Sequence, residues 1–273
     1  MKRNSGKNTR LQQPGKSRPR DHGGSVGPDD AGSVEVERLG GCVVARLTRL
    51  AMGNRISAPM AIALMELAEA VEDDESVHSV AITGASNIFS LGFDSDADSR
   101  VVETVSAISK PTVAILNGDA FDEGLELALA LDLRIAFGDS QFALTQLQDG
   151  RLPQFGGTQR LPRLIGGPLS LKMILTGEAI DGEEAMRLGL VTYLAPDRKK
   201  LERMSHDLLS TLDSRGPLGV RLVKEAVRKG FDMTLEQGIR LEEDLYALLQ
   251  TTADRAEGVR AFLEKRKPIF KGV

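Results

Sequence analysis

The residues best placed to do chemistry lie in Asn117-Gly118-Asp119-Ala120-Phe121-Asp122-Glu123-Gly124-Leu125-Glu126, where a strand ends, a turn follows and a helix begins. The first N–H groups of a helix have no intrahelical acceptor, and they favour negative charge that develops beside them. Glu126 is the acid/base candidate, and its apolar neighbours Leu125 and Leu127 argue against an ordinary surface glutamate. Asp122 and Glu123 also fit as simple helix-start acids that complement the dipole. An earlier segment, Phe89-Ser90-Leu91-Gly92-Phe93-Asp94, follows a strand, and a Gly in such a turn lets backbone N–H groups point at a ligand. An ordinary strand-to-helix turn would look the same. A later one, Leu147 to Pro162, contains Asp149, Gln154, Gly156 and Gly157. It lacks the Walker spacing and its Lys, so it reads as a structured loop feeding a helix.

Other chemistries have little support. Cys42 is the only cysteine, which removes an intramolecular disulfide and any Cys-based metal cluster, and its apolar run Cys42-Val43-Val44-Ala45 suits a small buried residue. His22, His78 and His206 are scattered, so a Ser-His or Cys-His pair is poorly supported. No metal site is expected. A net charge of −4, no Trp and 2 Tyr argue against a nucleic-acid groove, base stacking or an anionic membrane as partner. No apolar stretch approaches the roughly 18 to 20 residues that span a bilayer.

The elements that must position these residues follow from patterning. Residues 1–32 are rich in Lys, Arg, Gly and Pro and poor in apolar residues. They read as a disordered N-terminal extension, or a start codon placed too early, rather than as a transit peptide. From Ser33, alternation predicts a hairpin over 34–47 turning at Gly40-Gly41. Ser57 as N-cap and Pro59 in the first turn open a helix through Val71, and a strand follows over 77–83. A short helix over 101–108 stops before Pro111, a buried strand covers 111–116, and the Glu126 helix starts near Asp122 to Gly124. Strands are expected at 133–137 and 141–144, and helices at about 157–166, 168–176, 181–188, 197–213, 216–229, 234–250 and 252–265. The reading is an α/β core over 33–200 with a helical C-terminal region over 201–273.

In this order and spacing the three segments resemble the crotonase superfamily, the enoyl-CoA hydratase/isomerase fold. The resemblance covers about Val34 to Lys271. It is strongest in Gly156-Gly157-Thr158-Gln159-Arg160-Leu161-Pro162-Arg163-Leu164-Ile165-Gly166, Leu175-Thr176-Gly177, Glu184-Ala185, Gly189-Leu190-Val191 and Phe262 to Pro268. It implies a ββα spiral core, a C-terminal helical subdomain serving trimerisation, and a homotrimer or homohexamer in the cytoplasm. The implied substrate is an acyl-CoA thioester, with no separate cofactor because coenzyme A is part of the substrate.

By position, the resemblance assigns the two backbone oxyanion donors to Leu91 and Glu123, and a pocket to Phe93, Asp94, Gly124, Asp149 and Gln154. Such donors hold a forming enolate oxygen better than a neutral carbonyl, and losing one costs roughly 3 kcal/mol of barrier. Glu126 matches the first of the family's two hydratase glutamates. The second is replaced by Gln146, an amide that can orient a water but exchanges no proton as acid or base. The usual three glycines are Asp122-Glu123-Gly124, a frequent Gly is Gln154, and a lysine expected to meet CoA phosphates is missing from Ser86-Asn87-Ile88. Hydration of a 2-enoyl-CoA is the default expectation, with isomerisation, decarboxylation and thioester hydrolysis open. A catalytically silent acyl-CoA binder and a structural or regulatory subunit are the alternatives.

Overall fold

The computed structural model describes residues 31–272, so most of the extension expected over 1–32 lies outside the described residues. The chain forms β1 (Ser33–Leu39), β2 (Cys42–Thr48), α1 (Ala58–Asp73), β3 (Ser79–Gly84), β4 (Ile88–Ser90), α2 (Val101–Ala107), β5 (Thr112–Leu116), β6 (Asp119–Phe121) and α3 (Asp122–Ala130). It continues with β7 (Leu133–Phe137), β8 (Gln141–Ala143), α4 (Gly157–Ile165), α5 (Gly167–Thr176), β9 (Ile180–Asp181), α6 (Gly182–Leu188) and β10 (Tyr193–Ala195). Four helices close it, α7 (Arg198–Asp213), α8 (Pro217–Gly230), α9 (Leu235–Gln250) and α10 (Ala253–Leu263).

The first sheet has the order β1-β2-β3-β5-β7-β10. Only β1 is antiparallel to its neighbour, through the hairpin in which Leu39 faces Cys42. In the second sheet, β4-β6-β8-β9, the first three are the second strands of successive ββα units and β9 adds antiparallel to β8. The central parallel strands β3, β5 and β7 are largely buried on both faces, as crossover connections require. Because side chains alternate along a strand, Val43, Ala45 and Leu47 join the core that contains α1 and α3, while Cys42 and Val44 join Leu201 and Leu209 of α7. Fully burying each such leucine contributes roughly 1.5–3 kcal/mol. The expected boundary at 200 therefore falls inside α7, a helix that packs on the first sheet.

Local signals place most elements. Ser57 caps α1 by accepting a hydrogen bond from Met60 N–H, with Pro59 in the first turn. Four short strands, β4, β6, β9 and β10, are absent from the sequence expectation. At two or three residues they carry no measurable alternation, and pairing with neighbours creates them. The last three helices leave an apolar face in solvent, with Val227, Phe231, Leu235, Ile239 and Phe262 all strongly exposed.

Candidate active site

The start of α3 is built from three residues with different duties. Asp122 has φ +50°, a left-handed backbone uncommon outside Gly and costing on the order of 1–3 kcal/mol. Its carboxylate offsets that cost by accepting hydrogen bonds from Thr145 N–H (2.5 Å) and Thr145 Oγ1–H (2.9 Å). Asp122 thus ties α3 to the residue before Gln146. At Gly124 a Cβ would overlap the Ser90 carbonyl, so a glycine is obligatory there for close approach to β4. Of the three positions that are usually glycine, only this one is required by packing.

Glu126, one turn later, is fully buried. Its Oε1 accepts hydrogen bonds from Phe155 N–H (2.8 Å) and Gly157 N–H (2.8 Å), both at the entry to α4. Its Oε2 accepts one from Gln146 Nε2–H at 3.2 Å. Burial pushes the carboxyl up to about 7. The N–H groups of Gly157, Phe155 and Gln154 oppose that rise, and the nearby Glu123 charge adds to it. Among the described residues no cation pairs directly with Glu126. The guanidinium of Arg160 is near enough to feel its charge, and donates to Phe155 O at 2.6 Å. A Cβ at Gly157 would sit 2.9 Å from Glu126 Oε1, so the loop closes on the carboxylate only because that residue is Gly.

Gln146 begins a short 3-10 turn (Gln146–Asp149) and is 1% exposed. Its Oε1 is buried without a hydrogen-bond partner among the described residues.

The first carbonyl-binding segment is lined differently. Glu123 Oε2 accepts from Phe93 N–H (3.3 Å) and its Oε1 from Arg151 Nη1 (2.7 Å), so its carboxylate lies across the turn at Gly92. Asp94 pairs with Arg49 (2.5 Å) and Arg55 (3.4 Å), and Arg55 also donates to Leu91 O (3.1 Å) and to Phe93 O. The Leu91 N–H expected to serve as an oxyanion donor is committed to Gly53 O at 3.0 Å. Glu123 N–H stands in the first turn of α3, without an intrahelical acceptor.

The remaining expected pocket residues separate. Phe93 is buried, its ring stacked on Phe155 at 5.2 Å between centroids. Gln154 exposes its side chain, and what reaches Glu126 is its backbone N–H. Asp149 is exposed and 3.9 Å from Arg151. Sequence reading missed Arg55, Arg151, Arg160 and the N–H pair of Phe155 and Gly157. Isolated arginines carry no local pattern, although the Gly156-Gly157 pair signalled backbone close to a ligand or side chain. Beside the turn lacking the expected lysine, Arg198 of α7 donates to Ser86 O at 3.1 Å and covers the Phe137 ring. Among the described residues no group of His, Cys, Asp and Glu is arranged to hold a metal ion, and no helix is long and apolar enough to cross a membrane.

Comparison with known proteins gives the same frame. The family described as Enoyl-CoA hydratase/isomerase matches residues 37–273. The chain is 35% identical over 239 residues to 2,3-dehydroadipyl-CoA hydratase of Escherichia coli (strain K12), covering 83% of this chain and 93% of that one. It is 32% identical over 251 residues to the mitochondrial methylglutaconyl-CoA hydratase of Mus musculus, covering 85% and 80%. The crystal structure of enoyl-CoA hydratase from Bacillus anthracis superposes with a TM-score of 0.84 at 32% identity, covering 88% of this chain and 99% of that one. A carboxyl-bearing helix start between two backbone turns, a two-sheet ββα spiral and this extent of similarity lead to one statement: the chain belongs to the enoyl-CoA hydratase/isomerase family, within the crotonase superfamily.

Proposed function

We propose that this protein adds water across the double bond of a 2-enoyl-CoA thioester, with Glu126 as its one acid/base group. The observation that carries this reading is the Glu126 carboxyl itself. It is buried, fixed at Oε1 by two N–H groups, open to a proton at Oε2, and titrates near 7, where one group both takes and gives a proton efficiently. In the reaction a water oxygen bonds to C3 while its proton passes to Glu126. The C2–C3 π pair moves toward C2 and the thioester oxygen, and Glu126 then returns the proton to C2. The negative oxygen is held by Glu123 N–H at the start of α3 and by Leu91 N–H, which turns from Gly53 O toward it. Phe93 and Phe155 offer apolar surface for the acyl chain, and Gly124 brings the two backbone segments together. Named hydratases among the relatives support this reaction class. The exposed apolar face of α8 to α10 supports assembly of copies into a trimer or hexamer, which light scattering reads directly.

The test is turnover of crotonyl-CoA and longer 2-enoyl-CoAs, alongside 3-enoyl and malonyl-type thioesters for isomerisation, decarboxylation and hydrolysis. Hydration lost in Glu126→Gln with acyl-CoA binding kept is the expected result; equal turnover in the variant removes Glu126 from the mechanism. One observation favours a second reading, acyl-CoA binding without catalysis: the Leu91 N–H and the Glu123 carboxylate are both engaged across the carbonyl site. Tight binding without turnover across the panel would select it.

A further inference from the structure

Gln146 presents an unfinished hydrogen-bond pattern. Its Nε2 donates to Glu126 Oε2 at 3.2 Å, and its Oε1 is buried with no donor to accept from among the described residues. Exchanging the amide N and O moves the problem without solving it, since Nε2 then becomes the end with no partner. An unmade hydrogen bond at a buried polar group is costly, so this end of the amide calls for a donor or acceptor beyond those the described residues supply. Glu126 adds an asymmetry. Its Oε1 already faces two N–H donors, so a proton on this carboxyl must reside on Oε2, the oxygen beside Gln146. Ionised Glu126 needs Nε2 toward it, whereas protonated Glu126 would set O–H against N–H and needs Oε1 instead.

We propose that Gln146 is a positioning residue whose amide orientation follows the proton on Glu126, so that its far end alternately accepts from and donates to the reacting water or the 3-hydroxyl it becomes. This deepens the hydration reading and rests on it. While Glu126 is ionised, Nε2 faces it and the unpartnered Oε1 accepts one O–H of the incoming water, leaving the other O–H for Glu126. Once Glu126 holds that proton, the amide turns, and Nε2–H supports the new C3 oxygen until the proton reaches C2. Gln146 gains and loses no proton. The charged groups around the pair are Glu123 on α3 with its partner Arg151, Arg160 on α4, and beyond Arg160 Glu103 on α2 and Arg228 on α8.

The experiment uses the full chain without substrate. Carboxyl-13C glutamate and side-chain 15N glutamine resonances are followed against pH, assigned by their loss in Glu126→Gln and Gln146→Met. In the wild type the Gln146 amide signals should move with the same midpoint as the Glu126 carboxyl. In Gln146→Met that midpoint should rise by about one pH unit, because the carboxylate loses a donor. With crotonyl-CoA, kcat should fall about tenfold in Gln146→Met with KM little changed, and Gln146→Glu should restore rate and add a second limb to the pH profile. An amide that ignores the Glu126 titration overturns the proposal, even if Gln146→Met fails to fold. So does an unshifted midpoint in a folded Gln146→Met. Coupled titration in a protein without turnover would sink hydration alone.

Discussion

Two carboxylates one helical turn apart on α3 are handled in opposite ways. At the mouth, Glu123 lies among ions, with Arg151 at 2.7 Å and the Asp94–Arg49–Arg55 cluster beside it. In the depth, among the described residues, Glu126 meets neutral N–H donors of Phe155, Gly157, Gln154 and Gln146 and no paired cation. Ion pairing keeps a carboxylate charged and lets its partner exchange with solvent, because Arg151 is 42% exposed. Dipoles without a counter-ion hold geometry while burial still penalises charge, and the carboxyl rises to about 7. The first arrangement suits a group that holds a partner in place, the second a group that must change protonation during a reaction.

The comparison breaks most readily at the deep carboxyl. Glu126→Gln should lower kcat for crotonyl-CoA hydration by about 10²–10⁴-fold, measured in steady state. In the wild type, kcat/KM should rise with pH and level off above about 7, because the ionised form starts the reaction. The same variant should gain stability at pH 8. The wild-type Glu126 carboxyl binds more protons folded than unfolded between about 4.5 and about 7, so wild-type stability falls as pH rises through that window and stays lower above it. The amide carries no such loss, and urea melts at pH 8 and pH 4.5 should differ by up to about 3 kcal/mol in the variant's favour.

Gly157→Ala places a methyl against Glu126 and Pro153 without touching any charge. It should cost about 1–3 kcal/mol in stability and displace the carboxyl, lowering kcat at least as strongly as KM changes. Asp122→Ala should cost about 2 kcal/mol, since Thr145 loses its acceptor while the positive φ persists. Asp122→Gly should cost less, because the strain disappears with the carboxylate. At the mouth the effect is smallest: Arg151→Met should change stability by less than about 1 kcal/mol and less still at high salt. A loss at Arg151 as large as that at Gly157 would erase the distinction between mouth and depth.

Most of the helices and the long strands were legible because their signals are local. Ser57 with Pro59 opens α1, Pro111 stops the chain beyond α2, and alternation marks the β1–β2 hairpin. Glu126 was legible from its place near a helix start and its apolar neighbours. The two- and three-residue strands of the second sheet were not, since each exists only through its pairing. Nor were the duties of Asp122, Glu123 and Asp94, because their partners Thr145, Arg151, Arg49 and Arg55 are remote in sequence. Gln154, assigned to the pocket by the resemblance, reaches Glu126 through its N–H while its side chain is exposed.

By itself, the sequence determined the residue types: one buried-pattern glutamate after a tight turn, an amide twenty positions later where a second carboxylate would stand, and glycines where backbone must approach closely. Only the tertiary structure decided that Gln146 and Glu126 touch, that Leu91 N–H is engaged by Gly53, and that Glu126 is buried among neutral donors. Propensity and periodicity act within a few residues, whereas burial, charge environment and hydrogen-bond completion depend on segments that meet only after the sheets close.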